Sequence, residues 1–257
     1  MSGYALEHLL PERGFDLTRA LVDSFTEYFA PHVGHAVVRV LEDAGYSPTL
    51  PAGRVCCGLT WISTGQLDAA RRMLRRTVEL LHEPVARGVP VVGIEPSCTA
   101  VLRGDASELL GTDESRTVAG GVRTLAELLL ETPGWEPPRL ASQVVAQPHC
   151  HHHAVMGFAA DREILRRAGA DATVLGGCCG LAGNFGVVEE HRDVSVAVAE
   201  QHLLPAVRAA DDDALVLADG FSCRTQLADL TQTRGRHLAE ALADALDAIR
   251  LPEGSTR

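Results

Sequence analysis

The sequence predicts an α/β protein built from two duplicated parallel-sheet units with a pseudo-twofold relation. Three observations carry this expectation. Short apolar, strand-like runs alternate with amphipathic helical ones, as parallel βαβ units require. The triplet Cys-Cys-Gly occurs twice, in "RVCCG" and in "GGCCG". A similar offset also joins a second motif: Cys178 follows Cys56 by 122 positions, and Cys223 follows Cys98 by 125. Two motifs at nearly one spacing indicate a duplicated unit with small insertions.

The elements follow in order. A helix over about 32–44 precedes a strand near 47–51. The run "GQLDAARRMLRRTVELLHEPVARG" sets Leu67, Ala70, Leu74, Val78 and Leu81 on one helical face. "VPVVGIE" is apolar throughout, like a strand covered on both sides of a parallel sheet. The chain then passes through Ser97-Cys98 into a helix start. The proline- and glycine-rich "ETPGWEPPRLAS" sets a boundary near residue 135, giving repeats over 1–135 and 136–257. In the second repeat, "SQVVAQPH" is a strand, a helix follows near 158–168, and "ATVL" is a short strand. One long helix is expected over about 188–209. "ALVLAD" is the next strand, and "FSCRTQL" opens a helix. "RHLAEALADALDAI" is the last helix, ahead of a tail, "LPEGSTR", expected to fray.

Composition removes several functions. A net charge of −11 and a pI near 5.4 leave no basic face for nucleic acid and no polybasic membrane footprint. No apolar run reaches the roughly 18 residues of a membrane span. The opening "MSGYALEHLLPERG" lacks a charged-then-apolar leader. The expectation is a cytoplasmic protein with no transmembrane segment. Structural disulfides are rare there. The seven cysteines then read as metal ligands or redox groups, or else as small buried hydrophobes.

Each cysteine comes just after an expected strand. In an open parallel sheet the strand C-termini share one edge, where sites form. Cys56, Cys57 and Cys98 in the first repeat, and Cys150, Cys178, Cys179 and Cys223 in the second, are therefore candidate ligands. Helix N-termini at that edge favour thiolates. Gly58, Gly177, Gly180 and Gly183 allow tight backbone around them. Converging thiolates suit an iron–sulfur cluster or zinc. The second repeat supplies four. The first supplies three, with Asp23 of "LVDSFTEYF" in the place aligned with Cys150. One complete and one degenerate site are expected. Neither repeat holds a local C-x-x-C pair or a ferredoxin-type run.

Other groups fall beside these cysteines. In "PHCHHH", His149 or His151 would reach the edge of a metal site; the alternative is a solvated or helix-capping histidine. Glu95 and Asp219 stand at corresponding strand ends, either orienting donors around the site or capping helices. Arg224 would offset thiolate charge or lie on the surface. "GLAGNFG" follows a strand and precedes a helix, yet lacks the Walker lysine and the Rossmann spacing. It reads as a turn wrapping thiolates.

Six ordered segments carry a family resemblance. They are "DSFTEYFAPHVGHAVVRVLEDAGY", "GRVCCG", "GVPVVGIEPSC", "PHCHHHAVMG", "GCCGLAGNFG" and "ADGFSCRTQL…HLAEAL". Together, over roughly residues 16 to 245, they resemble the cysteine-rich CCG domain. The nearer branch is the C-terminal region of FAD-linked oxidases of the D-lactate and D-2-hydroxyglutarate dehydrogenase type. More distant are the glycolate oxidase iron–sulfur subunit, the lactate-utilisation proteins and the CCG-bearing subunit of heterodisulfide reductase. The resemblance implies an oxidoreductase component: an electron-transfer module with a 4Fe–4S-type cluster, relaying electrons from flavin to an acceptor. It implies three partners: an FAD-containing dehydrogenase subunit or domain, a ferredoxin-like cluster module, and a quinone or other electron acceptor, with the chain itself cytoplasmic or peripheral at the inner face of the membrane. It favours His149 and His151 over His152 and His153. No FAD domain and no tandem C-x-x-C-x-x-C segment is recognisable, so FAD belongs to a partner or missing domain and no activity alone is expected. Two rival readings are a zinc-bearing structural or docking module, and heterodisulfide-reductase-like thiol chemistry at a Cys-Cys pair.

Overall fold

The computed structural model describes residues 16–21, 23–141 and 143–250. The opening "MSGYALEHLLPERG" and the tail expected to fray lie outside them. Contacts divide the chain into two units. The first runs up to Pro133 and takes in Cys150–Phe158. The second comprises Gly134–His149 and the chain from Ala159 onward.

In the first unit, β1 (Asp16–Leu21) precedes two helices, α1 (Ser24–Phe29) and α2 (Pro31–Asp43). Pro31 starts α2 at a position where its missing N–H costs nothing. Val33, Val37, Val40 and Leu41 form its buried stripe. After β2 (Tyr46–Thr49) come α3 (Leu59–Ser63) and α4 (Leu67–Ala86). Ala70, Leu74, Val78 and Leu81 of α4 are buried as the periodicity predicts. Leu67, at the first helical position, is 38% exposed, so the buried stripe starts one turn later than expected. β3 (Val91–Gly93) is fully buried and leads into α5 (Pro96–Arg103), α6 (Asp105–Leu110) and α7 (Asp113–Gly121). The short β4 (Val122–Arg123) and α8 (Leu125–Glu131) complete the unit's continuous stretch.

The second unit contains β5 (Gln143–Ala146), α9 (Ala159–Arg167) and β6 (Asp171–Val174). The single helix expected over 188–209 is instead two 3-10 turns, then α10 (Arg192–Ala199) and α11 (Leu203–Ala209). Pro205 accounts for the break. It has no N–H to give the residue four earlier, so it disfavours continuing α10 but fits the first turn of a new helix, and α11 restarts at Leu203. β7 (Leu215–Leu217), α12 (Phe221–Leu230) and α13 (Leu238–Arg250) follow. Among the described residues, no helix is long and apolar enough to cross a membrane.

Both sheets are parallel, which confirms the α/β class. Their orders are β2-β1-β3-β4 and β6-β5-β7. The first three strands of each unit thus share one order. A parallel bridge from Leu217 to Arg236 stands beside β7, where β4 stands beside β3. In this order the chain leaves the first strand to one side and returns on the other. Ligands bind outside the strand C-termini at such a switch point.

The duplication reaches further than the two cysteine motifs. "RTLAE" at 123–127 and "RHLAE" at 236–240 both open the helix after that fourth position. Thr124 and Glu127 form a reciprocal capping box. Glu240 likewise accepts from His237 N at 2.9 Å, and His237 Nδ1 accepts from Ala239 N at 3.0 Å. This pair is only 113 positions apart, because α6 and α7 lengthen the first unit.

Candidate metal centre

The cysteine motifs fold alike in the two units. In the first, Gly58 takes a left-handed φ of 73° and its N–H points at Cys56 Sγ, 3.5 Å away. In the second, Gly180 has φ 94° and donates to Cys178 Sγ at 3.3 Å. A side chain at 180 would collide with the Ser195 carbonyl oxygen. Only glycine fits a turn so close to backbone. Cys98 is the third residue of α5 and Cys223 the third of α12. Both lie in a first turn, where the helix dipole favours negative charge. Cys56 and Cys178 are half-buried, whereas Cys57, Cys98, Cys179 and Cys223 are buried.

Each set caps an apolar core. Cys57 and Cys98 pack with Leu74, Val78, Leu81, Val91 and Val101. Cys179 and Cys223 pack with Val145, Leu181, Leu203, Val216 and Leu227. Such surroundings also suit inert buried thiols. The sulfurs, however, meet one another. Cys57 Sγ and Cys98 Sγ share a hydrogen bond at 2.9 Å. That bond, then burial, then the charges of Cys57, Asp23 and Glu95, hold the Cys98 thiol well above its ordinary pKa. Burial also raises Cys56, against the lowering effect of the Gly58 N–H. Hydrogen bonds with Cys178 and with Cys223, followed by burial, push Cys179 up. These thiols resist ionising because they crowd one another in an apolar pocket. A soft cation relieves that repulsion and takes sulfur donors, so the donor sets fit a thiolate-bound metal.

Their surroundings differ. Asp23 is 4% exposed and caps α1, accepting from Phe25 N, Thr26 N and Thr26 Oγ1. It remains near enough to act electrostatically on Cys56 and Cys98. Glu95, the N-cap of α5, is also 4% exposed and accepts from Ser97 Oγ at 2.9 Å. The residue at that place on α12 is Gly220. The ring of His149 packs where a side chain at 220 would go. Strand register relates these positions. Arg19 pairs with Val91 and Val145 pairs with Val216, and each partner lies seven residues before its helix cysteine. Counting on from Arg19 and Val145 sets Asp23 opposite His149, one residue short of Cys150.

Cys150 is exposed, and its segment, Cys150–Phe158, groups with the first unit. The π-helix within it, His152–Met156, lies against α5. His151 and His153 are exposed. His152 is the buried histidine of the run, its ring edge-on to Phe158 at 5.3 Å. Asp219 accepts from Leu238 N at 2.8 Å, a helix-end role. Arg224 bonds the carbonyls of Ala218 and Asp219.

Two positioning groups escape a reading of the sequence alone. Thr77 Oγ1 accepts from Cys56 N at 3.0 Å and donates to Cys56 O at 2.9 Å. Its signal is a polar residue inside the apolar stripe of α4. In the second unit, Gln147 is 2% exposed and its Nε2 donates to Pro148 O and Gly177 O. It fixes the residue just before Cys178.

Comparison with known proteins agrees with this geometry. A family model described as a cysteine-rich domain, CCG, matches residues 21–103, which include Asp23, Cys56, Cys57 and Cys98. The matching subunit of the anaerobic glycerol-3-phosphate dehydrogenase of Escherichia coli K12 is 30% identical over 230 residues, covering 86% of this chain and 57% of that protein. D-2-hydroxyglutarate dehydrogenase of the same organism is 27% identical over 257 residues, 94% of this chain and 24% of that protein. Lactate utilization protein A of Bacillus velezensis is 27% identical, covering 86% of this chain and 96% of that protein. The chain therefore spans little more than half of the first relative and about a quarter of the second. Residues 21–103 thus match the cysteine-rich CCG domain, and with a second Cys-Cys-Gly turn, again answered by a helix-borne cysteine, the chain is similar over most of its length to proteins that include subunits or parts of dehydrogenases.

Proposed function

We propose that the chain is an iron–sulfur electron-transfer module of an FAD-dependent 2-hydroxy-acid dehydrogenase. The observation that supports this most is the meeting of Cys178, Cys179 and Cys223 at the first turn of α12, with the Gly180 N–H directed at Cys178. Cys150 is the fourth ligand in this reading, with His149 at the edge. Cys56, Cys57 and Cys98 form a second, three-thiol set beside Asp23. When bound, a 4Fe–4S-type cluster supplies one-electron uptake and release. The residues themselves hold sulfur in place, donate N–H bonds to it and keep water away. Electrons come from a flavin-bearing chain, directly or through a ferredoxin-like module, and leave to a quinone or another acceptor.

Zinc is the competing occupant. The buried carboxylate of Asp23 beside the first thiol set favours it there, because zinc takes mixed sulfur and oxygen donors. Anaerobic purification with iron, acid-labile sulfide and zinc determination separates the two. The expected result is iron and sulfide in the wild type, lost by about tenfold or more in Cys179→Ser and retained by at least half in Cys57→Ser. Stoichiometric zinc without sulfide, in protein from its native cells, would sink the cluster reading.

A further inference from the structure

The loop after the second thiol pair ends in an apolar surface that nothing in the described residues covers. Phe185, Val187 and Val194 are 37%, 63% and 54% exposed. Phe185 and Val187 sit on the turn Phe185–Val187 and Val194 on α10, and these pack against each other and against the intervening turn Glu189–His191. The Phe185 ring is stacked on His191 at 4.1 Å, which holds it in place at the surface. Gly186 N donates to Leu181 O at 2.9 Å, and Leu181 packs in the core that holds Cys179 and Cys223. The surface therefore grows from the thiol-bearing loop. Grouped exposed apolar residues, unlike single ones, mark contact sites.

The rim decides what the surface fits. Glu189, Glu190 and Asp193 are exposed, and none has an ion-pair partner among the described residues. Nearby Arg192 and Glu200 are both paired, to Asp229 and Arg208. A second copy docking face to face would set these carboxylates against themselves. An anionic lipid surface would repel them. A basic rim would satisfy all three. We infer that Phe185, Val187 and Val194, rimmed by Glu189, Glu190 and Asp193, form the docking surface for a redox partner protein whose contact face is apolar at its centre and rich in lysine or arginine at its edge. The redox character of that partner rests on the electron-transfer reading; the surface rests on exposure and charge.

The test uses the purified full chain and cytochrome c, a redox protein with a lysine-rich rim, as probe. Affinity is measured by calorimetry at low and high salt, and electron transfer is followed from the reduced chain to ferric haem, one electron per haem. Glu189→Lys with Glu190→Lys is expected to weaken binding about tenfold, and Val187→Ser with Val194→Ser to weaken it several-fold. The same two-charge reversal at exposed Asp113 and Glu114 of α7 is the control for overall charge and should change little. Equal weakening in the control, or no weakening in either surface variant, overturns the inference. So does self-association of the chain that Val187→Ser removes. Surface-specific loss of binding, with no electron passing from the anaerobically purified and dithionite-treated wild-type chain to haem, would sink the electron-transfer reading and leave the docking surface standing.

Discussion

In the first unit the helix-borne cysteine stands behind a buried glutamate, Glu95, and near a buried aspartate, Asp23. In the second, the same two places carry Gly220 and the ring of His149. The sulfur-bearing frame is otherwise shared: a glycine turn donating to the first cysteine, a buried second cysteine, and a third cysteine in the first turn of a helix. The duplicated backbone thus fixes where sulfur goes, while the strand-end residues set the local charge independently. Two carboxylates beside three thiols repel added electrons. An imidazole beside a glycine does not. On the proposed function, the two thiol sets should therefore differ in redox or metal preference.

The turns offer the harshest way to break this comparison. Gly180→Ala strains a positive φ and drives a methyl group into the Ser195 carbonyl. It should cost about 3 kcal/mol or more. Gly58→Ala meets only ordinary contacts with Ala70, so only the backbone strain of about 1–2 kcal/mol applies. Denaturant midpoints at constant m value measure both. Equal losses would mean that the second turn has room the structure does not give it.

The clamps come next. Thr77→Val leaves the Cys56 N–H and carbonyl without their partner and should cost about 1–3 kcal/mol. Gln147→Leu removes the two bonds to Pro148 and Gly177 at a comparable cost. If metal retention follows the clamp, each variant loosens its own thiol set and spares the other. Loss from both sets in either variant would show that the two are not independent.

The smallest effect is in the pH dependence of the metal-free protein. Cys98 and Cys179 have pKa values above the unfolded thiol value of about 8.5. Above that pH the unfolded chain has lost protons that the folded chain keeps. Stability is therefore full below about pH 8.5 and falls as pH rises, by about 1.4 kcal/mol per pH unit for each such thiol. Asp23→Asn removes one charge that raises Cys98. It should bring that cysteine's pKa down while leaving Cys179 unmoved. Thiolate absorbance against pH, read in single-cysteine backgrounds, checks the sign, and an upward shift would contradict it.

Much of this architecture is legible in the sequence. The apolar stripe of α2, the run at Val91–Gly93 and the paired Cys-Cys-Gly motifs point to the α/β class and the thiol sets. β1 is not legible, because "DLTRAL" interrupts its apolar residues with Thr18 and Arg19. The break between α10 and α11 is hidden by a helical periodicity that runs through Pro205. The clamps of Thr77 and Gln147 join residues 21 and 30 positions apart, a relation that spacing cannot reveal. The "RTLAE" and "RHLAE" pair stays hidden because inserted helices shift its offset away from that of the cysteines.

The membership of Cys150–Phe158 has a consequence for how the protein is made. The first unit's continuous stretch ends at Pro133, yet its contacts include residues up to Phe158. At roughly 5–20 residues per second, a ribosome needs about 1–5 s to supply the missing stretch. For that interval the nascent first unit waits with the face of α5 that later receives the π-helix still bare, and a gene cut at the proline-rich linker would leave it so permanently.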